Sequence, residues 1–270
     1  MSSEAPRTAL VTGASAGIGR ALAIEFARNG HDLVLVARRI EALRELAAML
    51  RTEYDVRAVE IPMDLSVRRA ADELARAVRS RDLVVDVLVN NAGIAASGPF
   101  AEAEGDELHR MIMINVASLT LLSRAFLEPM LERGWGRILN VASVAGFQPV
   151  TGLAAYAAGK AYVLSLTEAL AEELRGTGVR VGALCPGLTK TDMADQIGEL
   201  AGDLPAELTG LFLASPEQVA RDGYAACMRG EVIHVTGLAN RLGTAWSQVQ
   251  PRWLVRRLGG VLGRQFLADR

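Results

Sequence analysis

A chain of 270 residues, half of them hydrophobic and 22% charged, carries enough apolar material for a sizeable core and is too apolar for a disordered segment. Its net charge of −2 lacks the basic excess of a protein that tracks a nucleic acid backbone, so nucleic acid is not an expected partner. Two distant cysteines, Cys185 and Cys227, fit neither a CxxC nor a zinc spacing; they read as buried thiols of a reducing compartment, with no disulfide and no structural metal.

In chain order, the start MSSEAPRTALVTGAS carries an acid and a glycine before any apolar run of signal-peptide length. No uninterrupted apolar stretch of about 18 residues follows, so the expectation is a cytoplasmic protein that does not span a bilayer. Short β-branched or leucine-rich runs recur: TALVT at 8–12, DLVLVA at 32–37, VRAVEI at 56–61, VDVLVN at 85–90, GRILNVAS at 136–143, VRVGALC at 179–185 and EVIHVT at 231–236. Such runs predict strands buried on both faces. Between them, GIGRALAIEFARNG at 17–30 and RIEALRELAAMLRTE at 39–53 space apolar residues three and four apart, as helices do. Strand and helix in alternation predict an α/β fold, a parallel sheet with helices on both sides. No linker divides the pattern, so one domain is expected over 1–245. Two regions depart from it: 186–215, rich in Gly, Pro and Thr, reads as a lid, and 246–270 as an appended tail.

The first strand runs into 12-TGASAGIGR-20 and then a helix, which sets Gly13, Gly17 and Gly19 at a strand-to-helix turn. Glycine lets a backbone turn tightly and approach a pyrophosphate, and a helix N-terminus offers free N–H groups. A ligand-free turn also uses glycine, but the place after the first strand of a βαβ unit favours a dinucleotide. The second strand ends 35-LVARR-39. Ala37 supplies no carboxylate to repel a phosphate, and Arg38 and Arg39 offer planar forks for the 2′-phosphate of NADP(H); Arg38 is the favoured one, while Arg39 also fits the surface of the next helix.

Further on, Tyr156 and Lys160 in 153-LAAYAAGKAYVLSLTEAL-170 stand four apart and so share a helix face. Alone, such a pair is more often a half-buried ring and a snorkelling ammonium. A phenol titrates near 10, and a neighbouring cation such as Lys160 is expected to lower that value and fit Tyr156 for acid/base work. Ser143, at the carboxyl end of a strand, can hydrogen-bond a developing alkoxide, or merely cap a turn. Asn115, the polar exception in 111-MIMINVASLTLL-122, needs hydrogen-bond partners if buried.

With these residues in place, the sequence over about 8–191 resembles the short-chain dehydrogenase/reductase family: TGASAGIG at 12–19, Asp64 in 63-MDL-65, 90-NNAG-93, Asn115, Ser143, 156-YAAGK-160, and 186-PG-187 followed by Thr189 and Thr191. The resemblance implies a single Rossmann-type, doubly wound α/β domain with a mostly parallel seven-stranded sheet. It implies that Asn115, Ser143, Tyr156 and Lys160 are catalytic, Asn115 through a water-mediated relay to Lys160. It places the cofactor against Gly13, Ser15, Gly17, Ile18, Gly19, Arg38, Asp64, Leu65, Asn91, Ala92, Gly93, Tyr156, Lys160, Pro186, Gly187 and Thr189; Asn90 is as suited to bracing the sheet. The function expected is NADP(H)-dependent interconversion of a ketone or aldehyde and an alcohol. The alternative is an NADP(H)-binding sensor or scaffold without turnover. The resemblance also implies a homodimer or homotetramer paired through the helices that contain Asn115 and Tyr156.

Around the expected pocket, Ala145, Phe147, Val150, Leu153, Leu188 and Met193 favour an apolar substrate. The tail 251–270 carries five arginines (252, 256, 257, 264 and 270) and one acid, Asp269. Trp253, Leu254, Leu258, Val261, Leu262, Phe266 and Leu267 recur at mainly three- and four-residue spacings, giving a basic amphipathic helix. Such a helix suits an anionic membrane surface, although Gly259 and Gly260 weaken it and leave docking on the protein itself as the other reading.

Overall fold

The computed structural model describes residues 6–190, 214–257 and 259–260. The seven runs become β1 (Thr8–Thr12), β2 (Asp32–Ala37), β3 (Ala58–Pro62), β4 (Val87–Asn90), β5 (Gly136–Val141), β6 (Val179–Cys185) and β7 (Ile233–Val235). Their order is β3-β2-β1-β4-β5-β6-β7, and every pairing is parallel. The helices are α1 (Gly17–Arg28), α2 (Ile40–Tyr54), α3 (Ala70–Arg79), α4 (Gly105–Ile112), α5 (Leu119–Glu132), α6 (Ala154–Glu173), α7 (Pro216–Arg229) and α8 (Leu238–Val249).

Successive strand residues point to opposite faces, and because both faces are covered both sets are apolar. Ala9, Val11, Leu33 and Leu35 pack under α1, α2 and α7, while Leu10, Val34, Val36 and Leu88 pack under α3 and α5. Full burial of one such leucine contributes about 2 kcal/mol. Local signals set the helix ends: Ser215 caps α7 by accepting from the Gln218 N–H, Pro216 opens it, and Gly230 closes it at φ 71°.

Residues 113–118 form a π-helical turn that joins α4 to α5. The whole helical run Gly105–Glu132 has the length and mean hydropathy (1.4 over its most apolar window) of a bilayer span, although 44% of that window is buried. A search for an unbroken apolar stretch passes over it because Asn115 and Arg124 interrupt the run. Its α5 part lies against α3, β4 and β5. Cys185 and Cys227 are buried free thiols, and burial pushes both up to about 12.

The division drawn at 245/246 falls inside α8, so core and tail share a helix. Beyond Gln250 the chain is helical again over 252–257. Most of the expected lid, including Thr191 and Met193, lies outside the described residues, as do Leu258, Val261, Leu262, Phe266 and Leu267 of the tail.

Candidate active site

Strand order reverses between β1 and β4, and the loops leaving their carboxyl ends part there to open a crevice. A cavity of about 500 Å³ occupies it. Every expected cofactor residue lines this cavity, from Gly13, Ser15, Gly17, Ile18 and Gly19 through Arg38, Asp64, Leu65, Asn91, Ala92 and Gly93 to Tyr156, Lys160, Pro186, Gly187 and Thr189.

At one end the chain turns from β1 into α1 through Gly13, at φ 68°, and Gly17, at φ 53°. Both lie in the left-handed region that side chains disfavour. A Cβ on Gly19 would run into the Gly13 carbonyl and the Asn91 amide, so the turn is packed as tightly as glycine allows. No side chain caps the α1 N-terminus, which leaves its first N–H groups for the crevice.

Thr12 and Asn91 fasten this turn to the neighbouring strand. The Thr12 hydroxyl donates to the Val89 carbonyl (3.1 Å) and accepts from the N–H groups of Asn91 (2.9 Å) and Ala92 (3.0 Å). The Asn91 amide donates back to the Thr12 carbonyl at 2.9 Å. Asn90 braces the sheet, donating to Ser123 Oγ and Asn140 Oδ1, both at 2.9 Å.

At the end of β2, Arg38 is exposed and lines the cavity. Arg39 does more than cover the next helix: its guanidinium reaches the Ser15 carbonyl and hydroxyl at 3.4 and 3.5 Å, flanking the glycine turn beside Arg38. Asp64 closes a turn after β3 by accepting from the N–H and hydroxyl of Ser66 at 2.9 and 2.7 Å. These bonds, the N–H first, hold its carboxyl below its ordinary value, with help from the charge of Arg38. It does not cap α3, which begins at Ala70.

At the other end, the α6 pair is buried: Tyr156 is 7% and Lys160 5% exposed. The Lys160 ammonium donates to the Val141 carbonyl at 2.7 Å and lies 5.6 Å from the Tyr156 ring centre. Burial lowers Lys160 to about 8. The expected depression of the phenol by Lys160 is not what the fold produces. Burial raises Tyr156 above its ordinary value, and the opposing influence is a hydrogen bond with Ser143. The reason is geometric, because Val141 draws the ammonium to itself beneath the ring. Ser143 is also the cap of the short 3₁₀ helix 144–147, its Oγ accepting from the Ala145 N–H at 3.1 Å.

Asn115 sits buried on the π-helical turn and grips Ile94 at both ends, accepting from its N–H at 3.0 Å and donating to its carbonyl at 2.8 Å. Gly93 stands where Asn115 and Lys160 converge, since a Cβ there would lie 3.3 Å from Asn115 Oδ1 and 3.7 Å from Lys160 Nζ. Beside Tyr156, an apolar cluster gathers Met111, Leu153, Ile94, Ala95, Ala145 and Val150. Leu188 lines the main cavity. Phe147 does not join them; it packs with Leu119, Val163 and Leu164. In a helix of three residues per turn it lies two positions on from Ala145 and so on another side.

The profile of the short chain dehydrogenase family matches residues 7–201. This chain belongs to that family. Among relatives of the dehydrogenase, the 3-oxoacyl-[acyl-carrier-protein] reductase FabG of Aquifex aeolicus is 32% identical over 242 residues, 86% of this chain and 96% of its own. A short-chain dehydrogenase from Sphingobium yanoikuyae, solved in complex with NADPH, superposes with a TM-score of 0.78 at 34% identity, covering 88% of this chain and 92% of its own. The bulky-bulky ketone specific alcohol dehydrogenase from Comamonas testosteroni superposes with a TM-score of 0.75 at 33% identity, covering 89% of this chain and 92% of its own.

Two residues of this dehydrogenase's site escape a reading of the sequence. Thr12 opens the glycine motif but carries no glycine signal, although a hydroxyl in an apolar strand that ends at a ligand crevice is a cue. Arg39 is left between phosphate fork and helix surface, because its reach to Ser15, 24 residues away in sequence, is tertiary.

Proposed function

We propose that this short-chain dehydrogenase interconverts a ketone or aldehyde and the corresponding alcohol with NADP(H), with Tyr156 as acid/base and an apolar carbonyl compound as substrate. One observation carries the reading: Tyr156, buried beside Ser143 with the Lys160 ammonium 5.6 Å from its ring centre, stands at the far end of a crevice that begins in a glycine cradle and is lined there by Arg38 and Arg39.

The residues present fit a dinucleotide. Gly13 and Gly19 let the turn close against Asn91 and Ala92 where a Cβ would collide, and the uncapped α1 N-terminus suits a pyrophosphate. Arg38 and Arg39, following Ala37 where an acid would stand, suit a 2′-phosphate. When bound, NADP(H) supplies or takes the hydride.

The chain's own groups handle the proton. Burial keeps Tyr156 a neutral phenol at neutral pH, holding the proton that a carbonyl oxygen needs as it gains negative charge. Ser143 accepts from Ala145, which leaves its own proton to donate to the phenol or the substrate oxygen. Below about pH 8 Lys160 is cationic, and its ammonium, which donates to the Val141 carbonyl and lines the crevice, would hold the cofactor's nicotinamide ribose. Asn115 acts through Ile94, fixing the loop that carries Gly93 against both ends of the site. Ala145, Val150 and Leu153 favour an apolar substrate, a reading supported by the bulky ketones named for the Comamonas enzyme. The chain is expected to pair with itself through α5 and α6, where Leu121 and Tyr162 lie exposed.

Replacing Tyr156 by Phe removes the hydroxyl and keeps the ring. The expected outcome is a loss of kcat of about 10²–10⁴-fold on a panel of bulky ketones with NADPH affinity unchanged by fluorescence titration. A near-normal kcat would assign the proton to another group.

A further inference from the structure

Five of this chain's large exposed apolar side chains fall on one short stretch. On α8, Leu238, Leu242, Trp246 and Val249 are 72%, 64%, 47% and 77% exposed, and Trp253 on the next helical segment is 55% exposed. At about 100° per residue the first four fall within an arc of about 80°, which makes them a stripe rather than scattered surface residues. The segment is anchored from behind, through Ser247 on α8 and Val255 beyond it, both buried. Arg241, Arg252, Arg256 and Arg257 are exposed around the stripe, and the sequence has no acid between Glu231 and Asp269.

We propose that residues 238–257 form a docking surface for an anionic lipid bilayer. Leucine and tryptophan enter the interface shallowly and the arginines meet headgroup phosphates. Charge decides between this occupant and a second copy. A two-fold contact through the stripe would set arginines against arginines with no acid to offset them, whereas an anionic lipid surface matches them all. The surface also adjoins the site: α8 lies against the 3₁₀ helix that follows Ser143, Asn240 fills the space beside Gly187, and Thr151 Oγ1 donates to the Gly259 carbonyl at 3.5 Å. On the function proposed above, an apolar substrate dissolved in the bilayer is then close to the cleft it enters.

The test is binding of the full-length protein to vesicles of phosphatidylcholine with phosphatidylserine, beside vesicles of phosphatidylcholine alone. Tryptophan reports the site directly, because the only tryptophan besides Trp246 and Trp253 is Trp135, held between Arg7 and Arg137 at 3.9 and 4.7 Å from its ring centre. The expected result is co-sedimentation with the mixed vesicles, a blue shift, and quenching by brominated lipid. At about fivefold per arginine, R252Q/R256Q should bind roughly 25-fold more weakly with unchanged turnover of a water-soluble ketone. W246S/W253S should lose the quenched emission. Equal sedimentation with both vesicle types, or no loss in R252Q/R256Q, would overturn the proposal. So would light scattering in which L242E halves the particle mass while vesicles bind none of the parent protein, since the stripe would then be a subunit interface. The sedimentation, emission and light-scattering readouts do not depend on turnover.

Discussion

The two ends of the crevice are built by different rules. The dinucleotide end is backbone held by backbone and short polar side chains: Gly13 and Gly19 pack without room for a Cβ, and Thr12 and Asn91 tie β1 to β4 through four hydrogen bonds. The substrate end is a surface of aliphatic side chains, Ala145, Val150, Leu153 and Ile94 around Tyr156, contributed by three separate loops and helices. An invariant ligand needs donors at fixed places, which few residue types supply, whereas an apolar wall needs only volume, which many combinations fill.

The contrast breaks most sharply at Gly19. Gly19→Ala puts a methyl group where the Gly13 carbonyl and the Asn91 amide already sit. NADPH affinity should fall by about 100-fold or more, since about 3 kcal/mol of overpacking is felt at the turn. Isothermal titration measures this, and a Gly19→Ala protein that binds NADPH normally would show that the cradle is looser than its packing implies.

Lys160 gives the next effect. Its folded value of about 8 lies below the ordinary 10.5, so burial penalises the charged form. Below pH 8 both folded and unfolded chains carry the proton and the penalty is complete, about 3 kcal/mol at most before the bond to Val141 offsets part of it. Between pH 8 and 10.5 the folded chain gives up its proton first, and the penalty is relieved as pH rises. Lys160→Met should therefore be inactive yet more stable than the parent at pH 7, with the gap narrowing toward pH 10 in urea unfolding. A gap that stays constant with pH would mean that the ammonium is not desolvated.

The smallest effect sharpens the comparison at the adenosine side. Arg38→Ala should lower the NADPH to NADH ratio of kcat/KM about tenfold, and Arg39→Ala by a similar factor, because both residues line the cavity at the end of β2 and the Arg39 guanidinium reaches Ser15. If only one of the two changes the ratio, the other belongs to the helix surface.

How much of this is legible in the sequence follows from the same contrast. Strand ends shift by no more than two residues from the apolar runs, because burial on both faces leaves a plain compositional mark. Gly13, Tyr156 and Lys160 are visible because their residue types are unusual where they stand. The π-helical turn at Met113–Ser118 is invisible, since one extra residue in a helical turn changes spacing and not composition. Phe147 is misplaced for a related reason, as the 3₁₀ turn that carries it away from Ala145 leaves no mark in composition. The apolar stripe of α8 is missed because the division at 245/246 cuts through it and hydrophobicity alone does not say which face is covered.

The central claim is that the crevice carries out hydride transfer and does not merely bind a dinucleotide. NADPH deuterated at the transferable position of the nicotinamide, incubated with the protein and a panel of bulky ketones, tests it directly by mass spectrometry of the product alcohols. The expected result is one deuterium on the carbinol carbon of at least one product, formed about 10²–10⁴-fold more slowly when Tyr156→Phe replaces the parent protein. NADPH bound tightly by the parent protein with no label in any alcohol across the panel would contradict it and leave a binding protein without turnover.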